Sequence, residues 1–430
     1  AEVTGMPYER YIQEYILDPL DMNHTTAWEP LPEPLRSDLA ASYQFSNGGY
    51  EPIPFIFDVT VPDGSISASA IDMTHFMIAH LQDGQYGNSR ILLPDTARLM
   101  HSRSFSHHPR MDGWAHGFEE FTINGRRTLT HNGGWEGFSS YLMLLPEQGL
   151  GLFVSYNSPG GFGAVDEMLQ AFFDRYYPAS AAPASPPSAN PDRPARQFAG
   201  WYKPVRSSST TLEKIVTLIS ALPMTALDDG TLEFVGRKWT AVDSLLYRQT
   251  DGKELMAFLP GERGAAAYAA IGVSAFEKIP WYETPGFNLI FLGCCLLVLV
   301  TAPIGWLASS IHRRLGKQPQ IMPPAASRAA RWAAGIGSGL CVMFIAAVGI
   351  SLMGDISEFV YGIPLGFRLL MAVPFAIAAL TAAALVLAVA AWKNRNWSFW
   401  GLVHYTLVAA AMTGVLWFAN TWNLLGFRFG

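Results

Sequence analysis

The chain has 430 residues, of which 50% are hydrophobic and 15% charged, and its formal net charge is −6. It is too long for one ordinary domain and too apolar to be wholly soluble, so we expect several units and a membrane-embedded region. No block of like charges appears, which argues against a nucleic-acid partner. The cysteines lie in apolar runs, where thiols usually pack as small hydrophobic groups. They are Cys294, Cys295 and Cys341.

The first 177 residues show the periodicities of a mixed α/β domain with an antiparallel sheet. Apolar residues recur at helical spacing over 7–17, and a second helix begins at a capping box formed by Ser69 and Asp72 and ends before Gly84. Strands are predicted over 127–131, 138–145 and 150–156, and a helix over 164–176 closes the domain.

A change of composition marks a boundary at residues 178–196, which are rich in Pro, Ala and Ser and have no apolar periodicity. This stretch is typical of a semi-rigid linker. Beyond it, residues 197–283 contain short apolar stretches broken by Gly and Asp turns, which predicts a small antiparallel β domain resembling a barrel.

Four apolar segments follow within residues 284–430, at about 287–309, 332–353, 367–392 and 397–422. Each is long enough to cross a bilayer core, so a four-helix transmembrane domain is predicted. The first and third connections are basic, whereas the second carries Asp355 and Glu358. By the positive-inside rule, the soluble domains and the C-terminus face outward across a bacterial cytoplasmic membrane. His404, within the last span, is interpreted as a hydrogen-bonded packing residue.

The stretch THNGGWEGF, residues 130–138, is the strongest candidate for chemistry. His131 is predicted at a strand end, and the glycines after it would let a ligand approach the backbone and leave an N–H free to point at it. From local spacing alone, a Gly-rich β-turn with a partly exposed histidine explains the same residues.

Four ordered segments of residues 1–160 form a wider pattern. They are GMPYERY leading to PLDMNHT (5–25), PDGSISASAIDM (62–73), HNGGWEGF (131–138), and LPE with GLFVSYN (145–157). Together they resemble the serine β-lactamase-like family, which includes class C β-lactamases, D-alanyl-D-alanine carboxypeptidases and related esterases and peptidases. The resemblance implies acyl transfer by a Ser-x-x-Lys nucleophile, a Tyr-x-Asn motif and a third motif on the opposite wall.

Only the third of these motifs is present. None of the seven lysines follows a serine by three residues, and Phe45-Ser46-Asn47 lacks the phenol of the second motif and reads as an exposed turn. We therefore expect residues 1–177 to be the C-terminal part of a β-lactamase-like domain. The missing part would belong to an upstream segment or to a separate chain, and without it apolar surface and a strand edge should be uncovered.

The resemblance implies roles for four residues. His131 would replace the family's lysine as the catalytic residue of the third motif, Asn132 and Gly133 would contact substrate, and the N–H of Gly134 would aim at the oxyanion. No cofactor and no metal are expected, because adjacent His107 and His108 lack a third ligand at suitable spacing.

Two functions remain open from the sequence. The first is a membrane-anchored serine hydrolase that acts on a peptide or ester substrate and is inactive without the missing part. The second is a non-catalytic relative that binds peptides or cell-wall fragments. No Asp, Glu, Lys or Arg lies in the middle of a predicted span, which weakens a third hypothesis, that the protein is a transporter or channel.

Overall fold

The computed structural model describes residues 2–58, 61–179, 195–261, 266–315, 324–354, 359, 362–395 and 397–429. Most of the predicted linker, residues 180–194, lies outside these ranges. So do three charges on which the predicted orientation depends, Lys317, Asp355 and Glu358, and the side chains of Arg313 and Arg314. The chain divides into two compact units. The first comprises Ala1–Pro194, Lys238–Pro260 and Ala269–Ser274, and the second comprises Ala195–Arg237, Gly261–Tyr268 and Ala275–Gly430.

The N-terminal region is a mixed α/β domain, as predicted. Its helices are α1 (Tyr8–Ile12), α2 (Glu33–Arg36), α3 (Ala70–Leu81), α4 (Pro94–His101) and α5 (Gly161–Tyr176). Its strands are β1 (Thr25–Thr26), β2 (Ser42–Ser46), β3 (Gly49–Ile53), β4 (Ser67–Ala68), β5 (Gln85–Tyr86), β6 (Ser89–Arg90), β7 (Phe105–Ser106), β8 (Gly113–Trp114), β9 (Glu119–Ile123), β10 (Arg126–Trp135), β11 (Phe138–Leu145) and β12 (Leu150–Tyr156).

A six-stranded antiparallel sheet in the order β12-β11-β10-β9-β8-β7 organises this domain. Because side chains alternate across a strand, β11 contributes Leu142 and Leu144 to the cluster around Met77 of α3. Met143 and Leu145 point the other way and join the cluster around Phe173 of α5. Helices therefore cover both faces of the sheet.

Helix α3 confirms the predicted capping box. The Ser69 hydroxyl accepts the N–H of Asp72 at 3.1 Å, and Gly84 follows the helix at φ +86°. A Cβ at Gly84 would come within 2.3 Å of the Leu92 carbonyl oxygen, so only glycine fits this turn.

Strand β10 is longer than predicted. The sequence placed its end at His131 and allowed a Gly-rich turn there, and both interpretations are wrong. Gly133 pairs with Ser140 and Gly134 with Ser139, and the chain turns only at Gly137, where φ is +80°. The pairing with β11 overrides the low strand propensity of the two glycines.

Eight strands close into a barrel after the linker, which confirms the predicted small β domain. They are β13 (Gly200–Pro204), β14 (Leu222–Ala226), β15 (Leu232–Phe234), β16 (Arg237–Ala241), β17 (Leu246–Gln249), β18 (Leu255–Pro260), β19 (Ala266–Ile271) and β20 (Ser274–Lys278). A short helix, α6 (Thr217–Ser220), lies in the connection between β13 and β14.

The C-terminal region is helical, with α7 (Pro285–Leu315), α8 (Ala325–Met353), α9 (Leu365–Leu370), α10 (Val373–Asn394) and α11 (Phe399–Thr421). Four helical segments are long and apolar enough to cross a membrane: Pro285–Trp306, Ala325–Met353, Leu365–Asn394 and Phe399–Thr421. The four helices predicted from the sequence are thus present. His404 Nε2 lies 3.0 Å from Thr301 Oγ1, a hydrogen bond between α11 and α7.

Candidate functional site

A cleft of about 1310 Å³ opens in the N-terminal domain beside the end of β10. Most of its lining is apolar, including Leu142 and Phe153 from the sheet. The third-motif residues also line it. They are His131, Asn132, Gly133 and Gly134. The structure therefore brings the four predicted site residues to one wall of one cavity, although their roles stay predictions.

The end of β10 in this wall is a strand edge. The pairing of β10 with β9 stops at Thr130 opposite Glu119, whereas its pairing with β11 continues to Trp135 opposite Phe138. Among the described residues, 131–135 thus have a strand partner on one side only. Backbone N–H and C=O groups of alternate residues point to the other side, where an extended ligand could pair with them.

The His131 ring is held against its own strand. Its Nδ1 lies 2.7 Å from the carbonyl oxygen of Asn132, and because a carbonyl only accepts, Nδ1 carries the proton. Nε2 is then the nitrogen left for a ligand, as an acceptor in the neutral ring and as a donor in the imidazolium. A histidine in this geometry can accept or deliver a proton at one defined atom.

Gly133 and Gly134 differ in the neighbours that an added side chain would contact. A Cβ at Gly133 would meet Ser140 Cβ at 3.5 Å, an ordinary contact, whereas a Cβ at Gly134 would lie 3.2 Å from the Phe162 ring of α5. Gly134 therefore lets α5 pack closely under the strand end. This packing requirement explains one glycine of the motif without reference to a ligand.

A buried carboxylate ties together other segments that line the cleft. Asp72, 3% exposed, accepts 2.7 Å hydrogen bonds from the backbone N–H of His24 and the hydroxyl of Thr25. Thr25 and Thr26 in turn pair with Ala68 and Ser67. The capping box could be predicted from the sequence. The hydrogen bond between the Asp72 carboxylate and Thr25 could not, because the two residues are 47 positions apart.

Sequence reasoning also missed three other cleft residues. Trp135 donates its indole N–H to the Ile56 carbonyl at 2.7 Å. Burial raises the pKa of Glu29, and the backbone N–H of Asp58, 2.6 Å from Glu29 Oε2, opposes that shift. Burial and the nearby His101 lower the pKa of His80 to about 4. Trp135 lies within the THNGGWEGF stretch but was given no role there, and no local motif marks Glu29 or His80.

His80 links the cleft to a second cavity. Its Nδ1 lies 3.1 Å from Nε2 of His101, and His101 lines a pocket of about 520 Å³. That pocket is built around Glu120, 3% exposed, which accepts from Arg103 and, at 2.7 Å, from Arg127. Burial alone would raise the pKa of Glu120, but the two guanidinium groups hold it below its usual range.

In the described part of the chain, no three His, Cys, Asp or Glu side chains form a possible metal-ligand set. Of the adjacent histidines in the sequence, His108 uses Nδ1 to accept the Arg110 N–H at 3.1 Å. His107 packs edge-on against Phe105 at 5.0 Å between ring centroids.

A cleft at a strand edge of an α/β domain, a closed barrel and four membrane-length helices define a multidomain protein that combines a candidate binding cleft with helices long enough to cross a membrane. The β-lactamase family model matches residues 1–175. A human protein described as putative beta-lactamase-like 1 is 28% identical over 216 residues, which cover 47% of this chain and 39% of that protein. Over its first 175 residues the chain therefore resembles the serine β-lactamase-like family.

The comparison with solved structures finds an octameric penicillin-binding protein homologue from Pyrococcus abyssi. It shares 18% sequence identity, covers 64% of this chain and 61% of its own, and has a TM-score of 0.35. A class C β-lactamase shares 14% identity over 41% of this chain and 53% of its own, also with a TM-score of 0.35. The chain spans about two fifths of the human relative's length.

Proposed function

We propose that this protein is a membrane-anchored serine hydrolase that cleaves an amide or ester bond by acyl transfer outside the cytoplasm. The observation that carries the proposal is the placement of residues 131–134 on an uncovered strand edge inside a large cleft. A small peptide or ester is the proposed substrate, because the edge offers backbone pairing and the apolar lining offers side-chain contacts.

The strand edge would supply three of the functions that acyl transfer needs. His131 Nε2 would form a hydrogen bond with the substrate or with the reacting group, and Asn132 and Gly133 would hold the substrate along the strand. The N–H of Gly134 would stabilise the oxyanion that forms when the carbonyl is attacked.

The nucleophile must come from a segment that carries Ser-x-x-Lys, since no such spacing occurs in residues 1–430. We propose that this segment, either preceding these residues in the same protein or on a separate chain, covers the apolar cleft. Its serine Oγ would bond to the substrate carbonyl carbon while the amine or alcohol leaves with a proton. Water would then hydrolyse the acyl-enzyme ester.

The proposed orientation follows from charge. The stretch from the end of α7 to the beginning of α8 contains Arg313, Arg314, Lys317, Arg328 and Arg331 and no acidic residue. Basic connections stay in the cytoplasm, so the cleft would face the opposite side of a bacterial cytoplasmic membrane, where lipid-borne or exported substrates occur.

Covalent labelling tests the proposal. The full chain, co-expressed with a Ser-x-x-Lys segment in a membrane preparation, is treated with a fluorophosphonate and with a β-lactam probe. We expect labelling of that serine, reduced by roughly 10²- to 10³-fold in His131→Ala, the scale for loss of one oxyanion or proton-transfer group. His116→Ala is the matched control, because His116 does not line the cleft.

The outcomes separate the two functions. Absence of labelling by both probes contradicts the hydrolase. Saturable binding of a D-amino-acid peptide under the same conditions, lost in Asn132→Ala but without labelling, would instead support the non-catalytic relative.

A further inference from the structure

The connection between β13 and β14 is fastened to one end of the helical bundle. This collar segment, residues 209–220, contains a 3-10 helix, Leu212–Val216, followed by α6. Asn423 Nδ2 donates to the carbonyls of Ser209 at 3.0 Å and Thr211 at 2.8 Å. The backbone N–H of Leu212 donates to the Arg428 carbonyl at 2.9 Å. The segment is thus bound to the chain just after α11.

Apolar packing continues the attachment. Ile215, 5% exposed, belongs to the same buried cluster as Trp422 and Leu424 at the end of α11. Lys214 lies over the Trp422 ring at 5.5 Å and pairs with Glu283 at 3.7 Å, two residues before α7 begins. The collar segment therefore lies at the level where the first candidate span starts and the last one ends.

This level has the composition of a membrane–water interface. Trp281, 69% exposed, packs edge-on against Phe287 at 4.8 Å between ring centroids. Indole rings are enriched at the headgroup level, because one end of the ring is apolar and the other can reach water.

The collar segment presents an apolar surface beside this interface. Ile219 is 79% exposed and Val216 is 45% exposed. Residues three or four apart fall on one side of a helical turn, so Ile219 extends the side that Ile215 places on the bundle. The bundle leaves Val216 and Ile219 exposed at the level where, in a spanning arrangement, the headgroups and acyl chains begin.

We propose that the collar segment inserts its apolar side into the interfacial region of the lipid bilayer, as a monotopic contact next to the spanning helices. The inference rests on the membrane anchoring proposed above. Charge within the collar segment plays a small part, because its only charged residues are the exposed acid Glu213 and the paired Lys214. Insertion is driven by burial of apolar area and does not need anionic lipid.

Spin-label accessibility in nanodiscs tests the proposal on the full chain. Three single-cysteine variants carry the label. Ile219→Cys and Glu213→Cys are made with Cys294, Cys295 and Cys341 replaced by alanine, and the third keeps only Cys294, an exposed residue of α7. We expect the ratio of oxygen accessibility to accessibility for a water-soluble nickel chelate to be several-fold higher at residue 219 than at residue 213. The shift should be equal in neutral phosphatidylcholine and with added phosphatidylglycerol.

The Cys294 label separates the two hypotheses. If this label favours oxygen while residue 219 is as open to the nickel chelate as residue 213, the spans are in the bilayer and the collar proposal is overturned. If the Cys294 label itself is open to the chelate, the membrane anchoring fails. A shift at residue 219 that appears only with phosphatidylglycerol contradicts the apolar mechanism.

Discussion

The histidine pair between α3 and α4 makes the local stability of α3 depend on pH. His80 is 3% exposed and is surrounded by the rings of Phe76 at 4.6 Å, Phe118 at 5.3 Å and His101. One histidine must donate the 3.1 Å hydrogen bond to the other, so at most one of the two can be charged without losing it. Burial and, after it, the Arg127 charge lower the pKa of His101, whereas Asp83 opposes that shift.

The magnitude follows from linkage. The pKa of His80 falls from about 6.5 in the unfolded chain to about 4 in the folded one. At about 1.4 kcal/mol per pH unit, the difference corresponds to at most about 3 kcal/mol. Between pH 4 and pH 6.5, His80 binds more protons when α3 is unfolded than when it is folded. The stability is therefore fully present above pH 6.5 and is lost as the pH falls towards 4.

Hydrogen exchange of the α3 amides, residues 70–81, measures this directly when corrected for the intrinsic pH dependence of exchange. We expect the opening free energy of the native chain to fall between pH 6.5 and 4. The fall should be smaller in His80→Leu. Ala79→Gly is the control, because it lowers the stability of α3 without a titrating group, by about 1 kcal/mol from helix propensity and further from the lost buried methyl, and it should keep the slope. A flat native profile, or an unchanged slope in His80→Leu, refutes the reasoning.

Three further substitutions test buried contacts of the same domain. Asp72→Ala leaves the Thr25 hydroxyl and a backbone N–H without their acceptor and should cost about 2–4 kcal/mol, measured as faster exchange in residues 22–28. Glu120→Gln removes the charge between two guanidinium groups, and we expect a loss of about 3 kcal/mol in denaturant unfolding of the domain. Gly151→Ala would bring a Cβ within 3.0 Å of Met77, so a loss of about 1–3 kcal/mol should lower the thermal midpoint, and an unchanged midpoint would contradict the packing described for α3.

Features set by short-range chemistry could be predicted from the sequence. The start of α3 follows from one hydroxyl and one backbone N–H three residues apart, Ser69 and Asp72, and the structure has both in that role. The membrane-length helices depend on length and apolar content alone, so their limits differ from the structure by only a few residues in most cases.

Features that depend on distant partners could not be predicted. The sequence allowed a turn at Gly133 and Gly134, because no local pattern indicates that these residues pair with Ser140 and Ser139 of the next strand. His80 and His101 belong to different helices, and their contact arises only when α3 and α4 pack. The candidate site has both a local and a tertiary part. His131 belongs to a motif that the sequence shows, whereas the cleft around it forms only when distant segments pack together.

The size of the cleft has a thermodynamic consequence. A volume of about 1310 Å³ corresponds to about 40 water molecules at the density of the liquid. Most of this water would face apolar side chains such as Phe153 and Leu142. Any substrate or protein segment that fills the cleft returns that water to bulk and hides the apolar wall, so its binding carries a negative heat-capacity change. Titration calorimetry at several temperatures thus distinguishes occupation of the cleft from attachment elsewhere on the surface.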